Sequence, residues 1–234
     1  MNLAIITARG GSKRIPRKNI RSFLGKPIMA YSIETAWASG LFDTVMVSTD
    51  DDEIASVAEQ YGASVPFRRT HKTADDFATT ADVLTEVLVQ YAALGQHFEY
   101  ACCLYPTAPF VTQALLQQAF DRLRTGGFDC VFPVQRFGFP VQRAVTFQGD
   151  TLVWLNPEHA LSRSQDLTPA YHDAGQFYAF NVAAFQRKGR LLTDKTSGIK
   201  IPEMQAQDID TEADWQVAEF KYQLLTRQNS GSPG

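Results

Sequence analysis

The sequence predicts an α/β fold in which a mostly parallel, twisted sheet carries helices on both faces. Short apolar runs such as LAIITA, TVMVS and YACCL alternate with longer segments of helical periodicity. The connections between them are short, which is typical of repeated β-α-β units with right-handed crossovers. Ligands of such sheets bind at the carboxyl ends of the strands, so that edge is where we expect a site.

The first half of the chain supplies most of this predicted sheet. The predicted strands are LAIITA, TVMVSTD, YACCLYP and CVFPV, and ASVPF is a short extended segment. The predicted helices are PIMAYSIETAWASG, DDEIASVAEQYG, ATTADVLTEVLVQYAALG and TQALLQQAFDRLRTGG, each closing at or near a glycine. This order places the loop from Arg9 to Asn19, the end of TVMVSTD and the turn YPTAP at one edge of the sheet.

The pattern changes after about Val134, where aromatic residues, glycines and prolines replace the helical repeats. We predict an irregular, β-rich arm over about 136–175, with a hairpin in TFQGDTLVWL that turns at Gly149 and Asp150. Exposed aromatic residues in such an arm are typical of a subunit interface, so we expect a homodimer. FYAFNVAAF then returns to the core, and TEADWQVAEFKYQLLTR predicts a last helix. We expect one domain over 1–228 and a flexible tail over 229–234.

Composition narrows the class of protein. The chain has 234 residues, of which 44% are hydrophobic and 20% are charged, with a formal net charge of −3. A general nucleic-acid binder is usually basic overall, so we expect no nucleic-acid partner. The sequence shows no signal segment and no long apolar run, so we expect a cytoplasmic protein without a membrane partner. Cys102, Cys103 and Cys130 lie in apolar runs and are expected to be buried, reduced thiols.

The loop ITARGGSKRIPRKN concentrates positive charge directly after the first strand. Its cations are Arg9, Lys13, Arg14, Arg17 and Lys18. The loop matches neither the phosphate-binding motif G-x-x-x-x-G-K-[ST] nor the dinucleotide motif G-x-G-x-x-G. Gly10 and Gly11 nevertheless allow backbone amides to turn toward an anion, and Arg9, Lys13 and Lys18 supply charge. The alternative is a solvated basic loop, and Arg14 and Arg17 receive no role.

The segment DIDTEAD predicts a second feature near the end of the chain. Asp208 and Asp210 are separated by one residue, so in an extended segment both carboxylates face the same way. Two carboxylates on one side suit a hard divalent cation, and we expect Mg²⁺. The alternative is helix capping by Asp210 or Thr211, with further acids in the first turn. The two interpretations are compatible.

Together these motifs give the chain a resemblance to a known family. Over nearly its whole length, the chain resembles the CMP-sialic acid synthetase family. The motifs that carry the resemblance are A-R-x-G-S-K-x-x-P-x-K-N, VSTDDDEIA, the Arg69 and Asp76-to-Thr80 region, P-T-A-P and D-I-D-T-E. FGFPVQRA and SRSQDLTPAYHDAGQFY are most similar to its pseudaminic acid branch. Tyr105 stands where the sialic acid enzymes usually have glutamine. The resemblance implies a Rossmann-like nucleotidyltransferase fold.

The resemblance also implies a role for individual residues. The family's triphosphate-binding cations match Arg9, Lys13 and Lys18, and Gly10, Gly11 and Ser12 between them are expected to belong to the same nucleotide-binding set. Asn19 and Arg69 match cytosine-reading positions, and Thr80 matches a position near the ribose or base. Asp208 and Asp210 match metal ligands, and with Arg9 and Lys18 they form the expected catalytic set. The residues expected to face the sugar are Tyr105, Gln165, Asp166, His172, Asp173 and Gln176. For all of these except Tyr105, the alternative is a role in interface or loop packing.

The reaction that the resemblance implies joins CTP to an acidic nine-carbon sugar. Attack by the anomeric hydroxyl of pseudaminic acid on the α-phosphorus would give CMP-pseudaminic acid and pyrophosphate. N-acetylneuraminate, legionaminate and the eight-carbon sugar Kdo are the alternative acceptors. A D-x-D glycosyltransferase and a non-catalytic nucleotide sensor are alternatives from other classes. The sequence does not assign the general base.

Overall fold

The computed structural model describes residues 1–74 and 77–230. Asp76, named above in the nucleotide-binding region, lies outside the described residues, as does the end of the predicted tail over 231–234. The last helix continues through residues 229 and 230, which were expected to belong to that tail.

The strands follow the predicted order and add several that the sequence did not indicate. They are β1 (Asn2–Thr7), β2 (Ser22–Phe23), β3 (Lys26–Pro27), β4 (Thr44–Ser48), β5 (Tyr100–Leu104), β6 (Cys130–Arg136), β7 (Val145–Gln148), β8 (Thr151–Trp154), β9 (Tyr171–Asp173), β10 (Phe177–Asn181) and β11 (Thr196–Ile201). The helices are α1 (Ile28–Ala38), α2 (Asp52–Gln60), α3 (His71–Ala74), α4 (Thr80–Ala93), α5 (Gln113–Gly126), α6 (Val182–Lys188) and α7 (Glu212–Ser230).

The main sheet is mixed, with a mostly parallel core. Its order is β11-β6-β10-β5-β1-β4, and β9 pairs with β6. β1 runs parallel to both β4 and β5, and β11 runs parallel to β6. β10 is antiparallel to its two neighbours, β5 and β6. The carboxyl ends of β1, β4, β5, β6 and β11 therefore share one edge, where the basic loop, the end of β4 and the YPTAP turn meet as predicted.

Helices cover both faces because side chains alternate along the buried strands. Ala4 and Ile6 of β1 pack with α1, α2 and α5, whereas Leu3 and Ile5 pack with α4 and α6. Cys102, Cys103 and Cys130 are free and buried, as the apolar runs predicted. Burial raises the pKa of each of these thiols, which keeps them protonated and unreactive at neutral pH.

A third cluster fastens the last helix to the basic loop. Phe23 makes edge-to-face ring contacts with Tyr31, Trp215 and Tyr222, at centroid distances of 5.5, 5.6 and 5.7 Å. Ile15 of the loop is fully buried in the same cluster. Such aromatic contacts contribute beyond the area they bury. The cluster therefore brings the segment before α7 next to the loop that follows β1.

The chain between β6 and β10 leaves the main sheet. β7 and β8 form a separate hairpin that turns at Gly149, whose φ of 61° lies in the left-handed region that glycine favours. Every residue of β7 is exposed. Within the described part of the chain, no helix is both long and apolar enough to cross a membrane.

Candidate active site

A cavity of about 700 Å³ opens where β1 and β5 end. Five cationic side chains line it: Arg9, Lys13, Arg14, Lys18 and Arg69. Aspartate and glutamate are absent from the described residues that line it. A concentration of positive charge in one concave surface attracts anions, and phosphate groups above all. The cavity is therefore suited to a polyanionic ligand.

The cavity wall includes Asn19, which is buried, and Arg69, which is partly buried. The Arg69 guanidinium donates to the Ser48 hydroxyl at 3.1 Å and to the Ser48 carbonyl at 2.7 Å. Burial lowers the pKa of Arg69, while the carboxylates of Asp50 and Glu86 oppose that shift; arginine stays charged at neutral pH regardless. The Asn19 amide donates to the Arg9 carbonyl at 2.9 Å. Both side chains are thus held in place by the protein itself.

The two glycines of the loop do not line the cavity. The Gly10 amide donates to Asp50 Oδ1 at 3.0 Å, so in this structure that proton is directed at the end of β4. A Cβ at Gly10 would lie 2.8 Å from Asp51 Oδ2, so only glycine fits there. Ser12 does line the cavity. A role for the Gly10 and Gly11 amides in anion binding stays a prediction.

The C-terminal carboxylates lie against the basic loop. Lys18 Nζ donates to the Ile209 carbonyl at 2.6 Å and is 3.6 Å from Asp210 Oδ1. Arg14 donates to the same Asp210 oxygen at 2.8 Å. Residues that are about 190 positions apart in the sequence are therefore adjacent at one end of the cavity. Arg14, to which the sequence assigned no role, belongs to this arrangement.

Asp208 and Asp210 are close enough to affect each other. Desolvation, together with the negative charge of Asp210, raises the pKa of Asp208, and Lys18 opposes the shift. Capping of α7 falls to Thr211: its hydroxyl accepts from the Asp214 amide at 3.3 Å, and Asp214 accepts from the Thr211 amide at 2.7 Å. Because Thr211 caps the helix, both Asp208 and Asp210 retain carboxylate oxygens for a cation.

Tyr105 forms the boundary between the basic cavity and a neighbouring cavity of about 290 Å³. Its hydroxyl interacts with Thr80 and with Tyr178, and its amide donates to the Gln176 carbonyl at 2.9 Å. The Tyr178 hydroxyl in turn donates to Asp173. Burial, followed by this hydrogen bond, raises the pKa of Tyr178. Asp173 is thus connected to Thr80 through two tyrosines.

The other predicted sugar-side residues are spread more widely. Gln176 is buried and donates to the Gln205 carbonyl at 2.5 Å. Gln165 lines a different cavity of about 590 Å³ at the base of the arm, and Asp166 pairs with Arg163. The exposed His172 ring lies 4.9 Å from that of Phe137. The described residues of this single chain do not bring Gln165, Asp166 and His172 to the basic cavity.

A mostly parallel α/β sheet with a cation-lined cavity at its carboxyl edge defines a nucleotide-binding enzyme. The cytidylyltransferase family model matches residues 3–218. The chain therefore belongs to that family and is a nucleotidyltransferase. The sequence did not single out three residues of these cavities: Arg14 and Thr73, which line the basic cavity, and Tyr178, which lines the neighbouring one. The apolar setting of Tyr178 in FYAFN gave no signal of a site.

Individual relatives agree with this assignment. A pseudaminic acid cytidylyltransferase of Campylobacter jejuni is 42% identical over 95% of this chain and 97% of its own length. A CMP-N,N'-diacetyllegionaminic acid synthase of Legionella pneumophila is 30% identical over 95% of this chain and 96% of its own length.

Solved structures show the same fold at low identity. The CMP:2-keto-3-deoxy-manno-octonic acid synthetase complexed with CTP superposes with a TM-score of 0.68 at 15% identity, covering 97% of this chain and 99% of its own. The 4-diphosphocytidyl-2C-methyl-D-erythritol synthase of Anaerococcus prevotii gives a TM-score of 0.62 at 15% identity, covering 95% and 98%.

Proposed function

We propose that this enzyme transfers CMP from CTP to the anomeric hydroxyl of pseudaminic acid and releases pyrophosphate. The observation that carries the proposal is the 42% identity, over 95% of this chain, to the Campylobacter jejuni pseudaminic acid cytidylyltransferase. The Legionella relative, named for a legionaminic acid product, is 30% identical. The difference between these identities favours pseudaminic acid as the acceptor.

The cation-lined cavity supplies what this reaction requires. The acceptor carries a carboxylate and CTP carries a triphosphate, so the two substrates repel each other. The five cations that line the cavity would offset that repulsion and stabilise the charge that develops on the departing pyrophosphate. They are Arg9, Lys13, Arg14, Lys18 and Arg69. In-line attack of the anomeric oxygen on the α-phosphorus breaks the bond to pyrophosphate, and the hydroxyl proton passes to a base or to water.

Asp208 and Asp210 are the residues that would hold Mg²⁺. Two neighbouring carboxylates fit its preference for oxygen ligands. Desolvation, followed by the negative charge of Asp210, raises the pKa of Asp208, and a cation between the two carboxylates would offset that repulsion. When bound, Mg²⁺ would supply positive charge to the triphosphate. Lys18 and Arg14 already contact Asp210 and would share this carboxylate with the ion.

Asn19, Arg69 and Thr80 are proposed to contact the cytidine, and Tyr105, Asp173 and Gln176 are proposed to form the sugar side. Asn19 and Arg69 are fixed by hydrogen bonds before any ligand binds, which lowers the entropic cost of binding. Gln165, Asp166 and His172 lie on the arm, where a second subunit would have to complete a site that includes them.

The arm over 136–175 is proposed as the contact of a homodimer in the cytoplasm. Large apolar side chains are exposed along it. They include Phe139 at 59%, Phe147 at 71%, Leu152 at 56%, Leu155 at 59% and Leu161 at 98%. Apolar groups concentrated on one segment are typical of a surface that another chain covers.

Pyrophosphate release from CTP, measured with a panel of acidic sugars, tests the proposed function. The panel is pseudaminic acid, N,N'-diacetyllegionaminic acid, N-acetylneuraminic acid and Kdo, each with Mg²⁺. We expect kcat/KM to be highest for pseudaminic acid by at least about tenfold, the scale of one lost or misplaced polar contact. Equal or better turnover of another acid would contradict the choice of acceptor, and no release with any of them would contradict the proposed activity.

A further inference from the structure

Arg17 is the cation of the basic loop that the proposed chemistry does not use. It does not line the nucleotide cavity. Its guanidinium points to the N-terminal end of α2, where it donates to both Asp51 oxygens at 2.5 and 3.0 Å and also contacts Glu53. A two-bond pairing of this kind fixes orientation as well as distance. Arg17 is therefore anchored rather than solvated.

The backbone of Arg17 turns the chain toward the cavity. Its φ is 54° and its ψ is 29°, a left-handed conformation that few residues other than glycine adopt. The short helical turn Lys18–Ile20 begins immediately afterwards. The conformation at Arg17 thus sets the direction in which Lys18 and Asn19, both of which line the cavity, leave the loop. An unfavourable backbone conformation persists only where surrounding contacts hold it.

The start of the loop is attached to the same place. The Gly10 amide donates to Asp50, and the Gly10 Cα packs so closely on Asp51 that a Cβ would lie 2.8 Å from its Oδ2. Asp51 is itself held, because its Oδ1 accepts from the amides of Glu53 and Ile54 as the N-cap of α2. Both ends of the loop therefore rest on one rigid corner between β4 and α2.

We propose that Asp51 is a positioning residue which, through Arg17 and Gly10, holds the basic loop so that Lys18 and Asn19 face the nucleotide cavity before CTP binds. Asp51 touches neither substrate; it acts on the residues that do. Holding the loop in advance removes part of the ordering cost of binding. The part of this inference that concerns CTP rests on the proposed function, whereas the part that concerns the loop does not.

Asp51→Asn separates the two roles of Asp51, which caps α2 and pairs with Arg17. Asparagine is as good an N-cap as aspartate, so α2 remains capped, but its neutral amide cannot pair with the Arg17 guanidinium at both positions. Arg17→Gln breaks the same contact from the other side. Asp52→Asn is the matched control, because it removes the same charge from the first turn of α2 while its side chain pairs with Arg68 and not with the loop.

Limited trypsin digestion of the ligand-free protein measures the position of the loop. The loop offers cleavable bonds after Lys13, Arg14 and Lys18, which mass spectrometry identifies. We expect Asp51→Asn and Arg17→Gln to increase cleavage there by about tenfold, the scale of one lost charge-assisted hydrogen bond, and the double variant to add nothing further. Asp52→Asn should match the wild type. Circular dichroism melting verifies that each variant is folded.

Calorimetric titration with CTP alone completes the test. We expect Asp51→Asn and Arg17→Gln to raise the CTP dissociation constant by about tenfold while the KM for the acceptor sugar stays unchanged. Unchanged cleavage in both variants would overturn the inference, as would faster cleavage with wild-type CTP affinity. If the wild type bound no CTP, the proposed function would fail, and the cleavage rates would still decide whether Asp51 holds the loop.

Discussion

At the scale of the residue, Lys18 is the side chain that joins the two halves of the site. It lines the cavity and also donates to the Ile209 carbonyl at 2.6 Å. We expect Lys18→Ala to lose at least about a hundredfold in kcat/KM, the size of one strong electrostatic contact in a transition state, with the fold retained. Steady-state kinetics measures kcat/KM, and circular dichroism verifies that the variant is folded. The control is Lys195→Ala, at an exposed position outside the cavity. A near-normal kcat/KM in the Lys18→Ala enzyme would exclude a role of Lys18 in phosphate binding.

Asp208 and Asp210 carry a separate prediction. Replacing either by asparagine removes one of the two carboxylates proposed to hold Mg²⁺, so Mg²⁺ should bind more weakly and turnover should fall at least about a hundredfold. Mg²⁺ titration by calorimetry, in the presence of CTP, gives a readout that does not depend on turnover. Glu59→Gln, at an exposed position on α2, controls for the loss of one negative charge. An unchanged Mg²⁺ midpoint in both aspartate variants would place the metal elsewhere.

The pairing of Asp51 with Arg17 predicts a pH dependence of stability. The hydrogen bond from Arg17 lowers the pKa of Asp51 from 3.8 to about 2. Because the folded-state pKa lies below that of the unfolded chain, the carboxylate stabilises the fold above about pH 4, and this contribution disappears as pH falls toward 2. Urea unfolding should show wild type exceeding Asp51→Asn by about 1–2 kcal/mol at pH 6, with the gap closing toward pH 2. A gap independent of pH would contradict this ionic contribution.

At the scale of the element, the N-terminus of α7 adjoins the segment that carries Asp208 and Asp210, the carboxylates proposed to hold Mg²⁺. The capping box between Thr211 and Asp214 fixes where the helix begins, at Glu212, two residues after Asp210. We expect Thr211→Ala to cost about 1 kcal/mol of unfolding free energy, the usual loss for such a cap. Chemical denaturation measures it. Thr226→Ala, in the C-terminal part of the same helix, should change stability by less than half as much. An equal loss in the two variants would count against the cap.

The comparison of sequence and structure is clearest at this same scale. Helices with strong apolar periodicity, such as α4 and α5, and strands with continuous apolar runs, such as β1 and β5, were predicted because local sequence determines them. β11 was missed: TSGIKI contains glycine and has only two buried residues, so its signal is weak. The antiparallel direction of β10 was also missed, since strand direction depends on the long arm that precedes it.

Some residues of the candidate site could likewise be predicted from the sequence, and others could not. Lys18 and Asn19 follow the first predicted strand, so topology alone brings them to the common edge. Arg69 was expected at the site only through the family resemblance, and the structure places it in the cavity wall. The partners of Arg14 and Arg17 were not predictable, because Asp210 and Asp51 become neighbours only through tertiary packing. For the glycine amides, the sequence predicted a ligand contact where the structure shows a contact within the protein. Composition indicated an anion site, whereas the structure directs the Gly10 amide to Asp50.

At the scale of the whole molecule, the arm predicts the state of assembly. A dimer is expected by light scattering at micromolar concentration. Phe147 is 71% exposed, and Phe147→Asp would place an unpaired charge in the proposed interface and should shift the protein toward monomer. Phe220→Asp is the matched control, because Phe220 is 63% exposed and belongs to α7 rather than to the arm. A wild-type monomer, or a dimer that persists in Phe147→Asp and is lost in Phe220→Asp, would rule out the arm as the contact.

The distribution of charge is the physical reason to expect a small anion, rather than a nucleic acid, as the ligand. The chain carries a net charge of −3, yet five cations meet in one cavity. Long-range attraction of a polyanionic polymer is therefore weak, while a triphosphate that enters the cavity meets concentrated positive charge.

A competition experiment tests the central claim most directly. Limiting CTP and Mg²⁺ are supplied with equal concentrations of pseudaminic acid and N-acetylneuraminic acid, and the CMP-linked products are quantified by mass spectrometry. Because both acids compete for the same enzyme, the product ratio equals the ratio of their kcat/KM values. The proposed function predicts CMP-pseudaminic acid in at least about tenfold excess. Equal amounts of the two products, or an excess of CMP-N-acetylneuraminic acid, would contradict it.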